Sequence, residues 1–424
     1  MRWRTGTVSA DRTALVLGAG VIGLSCAYFL RRAGWEVTVV DRGEPGHGCS
    51  WGTAGLLCPA HSQPLPGPGV LGKALRWMLR EDSPFHIRFR LDPSLPGWLL
   101  GFARACTLAR SRESFRAICS VSSLSLQLFE EVRERGDADF YFERRGGYWA
   151  FVTEAGVAHA RKEAEELRRN GFPVDFLGGD AAREREPALS AAVRAAIFLH
   201  GDAHGSSLGF AEALAATLKR QGVRVETGVR ALRLLREGKR NCGAEVVTGS
   251  GIREERTAGE TILALGAYSP LLARTAGVRL PIQAAKGYSA TVRTFDGVPS
   301  IPVTVAERKV IITPLQDVVR FAGTLELAGY DPSLNERRYR AVITGGQAGL
   351  AARIPMEDEV PWAGIRPLTP TSVPLIGRPA GRDGLLVAAG HGMLGFTQSL
   401  GTGRLIQQLA SGEPPSVDIA PFAP

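Results

Sequence analysis

Residues 13–41 read TALVLGAGVIGLSCAYFLRRAGWEVTVVD. Ala14 to Leu17 is an apolar strand, Val21 to Arg32 carries helical periodicity, and Glu36 to Val40 is a β-branched second strand. Gly18, Gly20 and Gly23 form G-x-G-x-x-G between the first strand and the helix. Gly18 permits the tight turn, Gly20 admits a pyrophosphate to the backbone, and Gly23 lets the helix pack closely on the strand. The helix N-terminus then offers free amides and a positive dipole end to phosphate. Asp41 ends the second strand, where a carboxylate accepts hydrogen bonds from ribose hydroxyls. The stretch also follows Arg2, Arg4 and Arg12 and runs without charge from Thr13 to Leu30, as a signal peptide or short membrane span would. Three glycines at dinucleotide spacing, with no small-residue cleavage site after them, favour a nucleotide-binding turn.

Beyond Asp41, Gly46-His-Gly-Cys-Ser-Trp-Gly-Thr-Ala-Gly55 is a second glycine-rich loop. It suits a cofactor that continues beyond the pyrophosphate, so FAD is the dinucleotide expected here. The same spacing recurs at Gly67 to Gly72, after a proline-rich stretch, and at Gly390 to Gly395, but neither sits in a complete strand, turn, helix and strand unit ending in an acid, which argues against a separate NADPH-docking domain.

With 424 residues, 44% of them hydrophobic and 22% charged, the chain exceeds one ordinary core and predicts two domains. Lys and Arg outnumber Asp and Glu by 51 to 42, net +9, but they are scattered through segments such as Arg161 to Arg169. Scattered charge reads as solvated helix faces, with a mild pull toward anionic substrates or an anionic membrane surface. It argues against a nucleic-acid groove, for which clustered basic and stacking aromatic residues are needed. Cys26, Cys49, Cys58, Cys106, Cys119 and Cys242 show no CxxC pair and no ligand-like cluster with histidine. Reduced thiols in a cytoplasmic protein, and no metal site, are the expectation.

Further along, residues 71–135 predict helices, with Leu124, Leu128, Phe129 and Val132 as an apolar stripe. Tyr148 to Val152 predicts a strand and Ala155 to Arg169 an amphipathic helix. Ala196 to Leu199, a helix over Phe210 to Arg220 and Val223 to Thr227 repeat the βαβ rhythm. Thr261 to Leu265 and Leu385 to Ala388 add short strands. Ile282 to Leu327 alternates polar and apolar residues, as an antiparallel sheet with one wet face does. The fold class expected is α/β: a Rossmann-like FAD-binding domain (residues 12–66, 190–280 and 360–424) with an α+β, antiparallel-sheet substrate-binding domain (residues 67–189 and 281–359).

Six ordered motifs extend this reading: Leu17 to Gly23, Ser50 to Gly55, Ala264 to Ser269, Lys286 to Ser289, Gly364 to Pro370 and Gly390 to Gly395. On them, from about residue 13 to about 415, the chain resembles the D-amino-acid dehydrogenase branch of the FAD-dependent amine and amino-acid oxidoreductases, which includes glycine and sarcosine oxidases. The resemblance implies transfer of a Cα hydride from an amino acid to flavin N5, giving an imino acid that hydrolyses to a 2-oxo acid. Electrons would leave to a quinone or another carrier, or to O2 if the chain is an oxidase. A catalytically silent flavin subunit of a larger complex, and peripheral contact with a membrane, stay open at this level.

Arg366 matches the arginine that holds substrate carboxylate in glycine oxidases, and its planar fork suits that task; a structural salt bridge is the alternative. Tyr288 offers a hydroxyl to the carboxylate or packs in a core. His391 contacts substrate or flavin, or is held by local hydrogen bonds. The resemblance puts Gly392, Met393, Leu394 and Gly395 at the flavin N1 and O2 edge, acting through backbone amides of a helix N-terminus. Gly266 would serve close packing near the cofactor. The whole cofactor set is Gly18, Gly20, Val21, Ile22, Gly23, Asp41, Arg42, Ser50, Thr53, Ala54, Gly55, Leu56, Val229, Gly266 and Gly392 to Gly395. The chain lacks the arginine that glycine oxidases carry near residues 391–394, so substrate handling there must differ. Trp51-Gly52-Thr53 and Cys58 to Ser62 look more like relatives acting on D-proline or hydroxyproline.

Overall fold

The computed structural model describes residues 12–72, 85–88, 90 and 92–424. Arg2 and Arg4 of the leader-like reading, and part of the helical stretch expected over 71–135, lie outside those residues. Strand β1 (Thr13–Leu17), helix α1 (Val21–Arg32) and strand β2 (Glu36–Val40) form as their patterns dictate. β1 pairs in parallel with β2 and with Glu260–Leu263. The full sheet runs Arg224–Glu226, β2, β1, Glu260–Leu263, Leu385–Ala389 and Leu375–Gly377, all parallel except the last, antiparallel edge strand. Near-continuous apolar strands such as β1 are what a sheet covered on both faces requires.

Helix Ser399–Ser411 lies against α1 so closely that a Cβ on Gly403 would strike the Ser25 carbonyl. The same helix meets helix Leu108–Glu134, where Gly401 faces the Val121 carbonyl. The predicted stripe of Leu124, Leu128, Phe129 and Val132 therefore packs into the core of the nucleotide sheet. Its place in segment 67–189 had assigned it to the other domain. An apolar stripe reports that a helix is covered, and chain position does not say by what.

The second sheet runs Val360–Leu368, Gln283–Arg293, Val318–Leu327, Val310–Leu315, Val303–Val305, Gly147–Phe151, Ala195–Leu199, Val174–Gly178. Phe85–Ile87 joins it beside Val318–Leu327. Two strands depart from the expected partition. Ala195–Leu199, read as opening a βαβ unit, instead pairs antiparallel with Gly147–Phe151 and Val174–Gly178, and Val360–Leu368 pairs with Gln283–Arg293. A short apolar run fits a buried strand of either sheet. Nor has the antiparallel sheet a wet face over Ile282 to Leu327. Lys286, Thr313, Arg320 and Glu326 are buried, each with polar partners, because helix Glu336–Gln347 covers one side and the site described below occupies the other. A small antiparallel meander, Arg230–Glu237, Arg240–Val247 and Arg253–Thr257, hangs from the nucleotide sheet. Among the described residues no helix is long and apolar enough to cross a membrane.

Candidate active site

One cavity of about 1810 Å³ opens at the carboxyl end of β1 and continues across the second sheet. A single small-molecule site occupies roughly 300–1,000 Å³, so this space holds more than one small ligand. Every residue nominated for the cofactor lines it except Gly23. Gly23 has a packing task, since a Cβ there would run into the Gly18 carbonyl. Gly18 takes φ +113°, and a Cβ on it would sit 2.5 Å from the Ala264 carbonyl oxygen. Gly20 caps α1 without a side chain, and no acid occupies the first turn. The Val21 amide donates to Ser50 Oγ at 3.2 Å, tying the second glycine loop to the helix N-terminus.

Asp41 accepts the Ala19 amide at 2.7 Å and the Gly43 amide at 2.9 Å, and the Val229 amide donates to the Asp41 carbonyl at 2.9 Å. The Arg42 guanidinium stacks 4.4 Å from the centre of the Tyr268 ring. Gly266 departs from expectation. A Cβ on it would meet nothing within 4 Å, so close packing is not its task; its φ of +54° is. That open space, with the glycine-capped end of α1 and the acid-free first turn, fits a bound dinucleotide.

The loop after Leu385–Ala389 is wound more loosely than expected. Helix Ser399–Ser411 starts beyond Gly392 to Gly395 instead of at them, and Thr397 Oγ1 donates to the Leu56 carbonyl at 2.9 Å. Gly392 donates to the Pro367 carbonyl and Leu394 to the His391 carbonyl, at 2.8 and 2.9 Å. The loop amides thus come from successive turns, with those of Gly392 and Leu394 already engaged. His391 is buried, its Nε2 lies 2.9 Å from Thr402 Oγ1, and burial drops its pKa to about 3. It lines the cavity as a neutral ring held by a local partner.

Strand register decides the substrate end. Arg366 lies opposite Ala285, Gly364 opposite Gly287 and Trp362 opposite Ser289. Directly opposed residues share a face. Tyr288 opposes Ala363 on the other face, where its hydroxyl donates to Glu326 at 2.7 Å and its ring is fully buried. It does not line the cavity, which corrects its nomination as a carboxylate donor: a period of two puts alternate residues on opposite faces. On the cavity face the two opposed glycines make a bare floor. The Arg366 guanidinium lies over Gly287 and the Trp362 indole over Gly364 and Gly52.

Arg366 Nη1 donates to the Thr324 carbonyl at 2.6 Å. Among the described residues no carboxylate lies within ion-pair distance of it, and burial lowers its pKa. The structural salt bridge is therefore absent there. A half-buried cation with no counter-ion among the described residues is costly, and an incoming anion relieves it. Thr324 carries two further costs. It holds φ +60°, an outlier for a β-branched side chain, and its Oγ1 is buried without a hydrogen-bond partner. Beside Arg366 the wall is apolar, from Trp98, Leu325, Leu368, Leu99 and Phe102.

Sequence reading missed Trp362, Thr324 and Arg320. Arg320 is buried, and its Nη1 donates to the Trp51 and Thr53 carbonyls at 3.0 and 3.1 Å, fixing the second glycine loop against the sheet. Paired glycines inside strands were the available signal, since such glycines mark close approach. Sequence reading also missed a cluster, because the fold joins Cys58 and His61 to the distant Asp202, their ligand-type atoms lying within 4.8 Å of one another. The donor set is uncharged. Burial raises Asp202 to about 8, lowers His61 to about 3 and lifts the Cys58 thiol. Trp149 Nε1 donates to His61 Nδ1 at 3.2 Å, which leaves the ring proton on Nε2. That tautomer suits a neutral hydrogen-bonded cluster and has no free nitrogen lone pair for a cation.

Comparison with known proteins agrees with this architecture. Residues 13–409 match the family of FAD dependent oxidoreductases. The chain is 36% identical over 412 residues to a D-amino acid dehydrogenase of Paramagnetospirillum magneticum, covering 96% of each chain. It is 36% identical over 416 residues to a D-amino acid dehydrogenase of Dechloromonas aromatica, covering 96% of this chain and 99% of the other. In fold it is similar to glycine oxidase from Geobacillus kaustophilus (TM-score 0.75, 22% identity, 97% of each chain). L-proline dehydrogenase from P. horikoshii is also similar (TM-score 0.74, 19% identity, 98% and 97% of the two chains). Turn, cavity and full-length match coincide, and the chain belongs to the FAD-dependent oxidoreductase family.

Proposed function

We propose that this protein oxidises D-amino acids, with Arg366 holding the substrate carboxylate. The observation that carries the reading is the half-buried Arg366 guanidinium, lining the cavity with no carboxylate partner among the described residues. FAD, when bound, supplies the two-electron acceptor for the Cα hydrogen. The chain's own residues do the rest. Gly18, Gly20, Val21 and Ile22 cradle the pyrophosphate, Asp41 binds ribose, and Arg42 and Val229 border the adenosine end. Ser50, Thr53 to Leu56, Gly266 and Gly392 to Gly395 surround the ring system. His391 stays neutral and shapes the wall, and the apolar surface from Trp98 to Phe102 takes the substrate side chain.

The named dehydrogenase relatives favour an electron carrier such as a quinone over O2. We place the chain in the cytoplasm, meeting that carrier as a peripheral protein. The test is the anaerobic flavin spectrum of wild type and Arg366→Ala with D-alanine, D-proline, glycine and sarcosine. Bleaching by a D-amino acid in wild type, with retained FAD and no bleaching at low substrate in the variant, is expected. Equal bleaching of both would sink the carboxylate role, and re-oxidation by air within seconds would turn the acceptor reading toward O2.

A further inference from the structure

Thr324 sits where strands Gln283–Arg293 and Val318–Leu327 slip register. Lys286 faces Glu326 and Tyr288 faces Gly323, so Gly287 alone faces both Thr324 and Leu325. Two residues against one is a β-bulge, and glycine is the usual occupant of its left-handed position. Here the left-handed residue is a threonine at φ +60°. The twist turns the Thr324 carbonyl onto Arg366 Nη1, at 2.6 Å. The residue is 9% exposed, lines the cavity, and has a hydroxyl shielded from water with no protein partner.

A strained backbone and an unsatisfied hydroxyl on one residue are the kind of local cost that persists where a ligand repays it. We propose that Thr324 is a substrate-positioning residue: its carbonyl aims the Arg366 guanidinium, and a turn about χ1 on substrate binding brings its shielded hydroxyl round to donate to the same substrate carboxylate. Arg366 gives one N–H to Thr324, so it meets the carboxylate through its remaining donors. The Thr324 hydroxyl then fills a carboxylate lone pair that the guanidinium does not reach. Because Gly287 has no side chain, nothing from the neighbouring strand stands between the two groups. The inference rests on the reading of Arg366 as the carboxylate anchor, and the experiment separates the two.

Thr324→Val, Thr324→Ser, Thr324→Gly and Arg366→Lys holoenzymes are assayed with whichever of D-alanine, D-proline, glycine and sarcosine bleaches the wild-type flavin fastest. FAD content and thermal midpoint are followed in parallel. Thr324→Val keeps the branched shape and should raise KM about 10- to 100-fold, with FAD content and midpoint retained. Thr324→Ser should stay within about threefold of wild type. Thr324→Gly should raise the midpoint by relieving the left-handed strain while KM rises as in Thr324→Val. A purely structural threonine would move the midpoint and leave KM alone. A wild-type KM in Thr324→Val overturns the inference. If Arg366→Lys raises KM while Thr324→Val does not, the anchor stands and Thr324 falls. If neither variant raises it, the anchor reading falls as well.

Discussion

A Cβ added to Gly287 would overlap the guanidinium of Arg366, so the absence of a side chain on one strand sets the position of the charge on the next. The two residues are not directly opposed; Arg366 leans across from its place opposite Ala285 onto the floor made by Gly287 and Gly364. The pair couples the Lys286 to Ser289 motif with the Gly364 to Pro370 motif.

Gly287→Ala follows from that overlap. The obstructing atoms are the end of a flexible side chain, so the fold survives and the guanidinium moves aside. Steady-state kinetics on the FAD-loaded variant should show KM raised about tenfold or more, since displacement by about 1 Å disrupts a bidentate contact. Unchanged KM would mean the observed guanidinium position is not the one that binds substrate.

Tyr288→Phe should separate the two sides of the strand. Its hydroxyl serves Glu326, so its loss leaves a buried carboxylate oxygen short of a donor and costs about 1–3 kcal/mol of stability. Denaturant unfolding should register that loss while KM holds. A raised KM with unaltered stability would put Tyr288 back among the substrate contacts.

Stability against pH should be peaked near neutrality. Burial drops His61 and His391 from 6.5 to about 3 and His204 to about 4. The unfolded chain therefore binds protons that the folded one refuses, and stability falls as pH drops below 6.5 toward 3. Asp202 acts the other way. Burial raises it from 3.8 to about 8, so the folded chain keeps a proton the unfolded one releases, and that contribution is lost as pH rises toward 8. Three histidines outweigh one aspartate on the acid side, and Asp202 alone shapes the alkaline side near neutrality. Thermal midpoints from pH 4 to 9, read for wild type and Asp202→Asn, check this: the decline between about pH 7 and 8 should vanish in the variant.

Local chemistry was legible in the sequence wherever neighbours along the chain supply the constraint. Strand, glycine turn, helix, strand and terminal acid from Thr13 to Asp41 need only each other, and all five form as read. Such chain-local constraint specified the nucleotide turn and the α/β class, and the family resemblance added Arg366 as an anion-seeking candidate. Features that depend on register and on distant partners were set only by the packed fold. A single residue of strand alternation turned Tyr288 away from the cavity and Trp362 toward it. A one-residue bulge put Thr324 in a left-handed conformation that no threonine signals in sequence. Asp202 reached Cys58 and His61 through a turn more than a hundred residues away. Side-chain period and hydrogen-bond register are properties of paired strands, and the pairing is chosen by the whole core, so one strand's residues cannot report it.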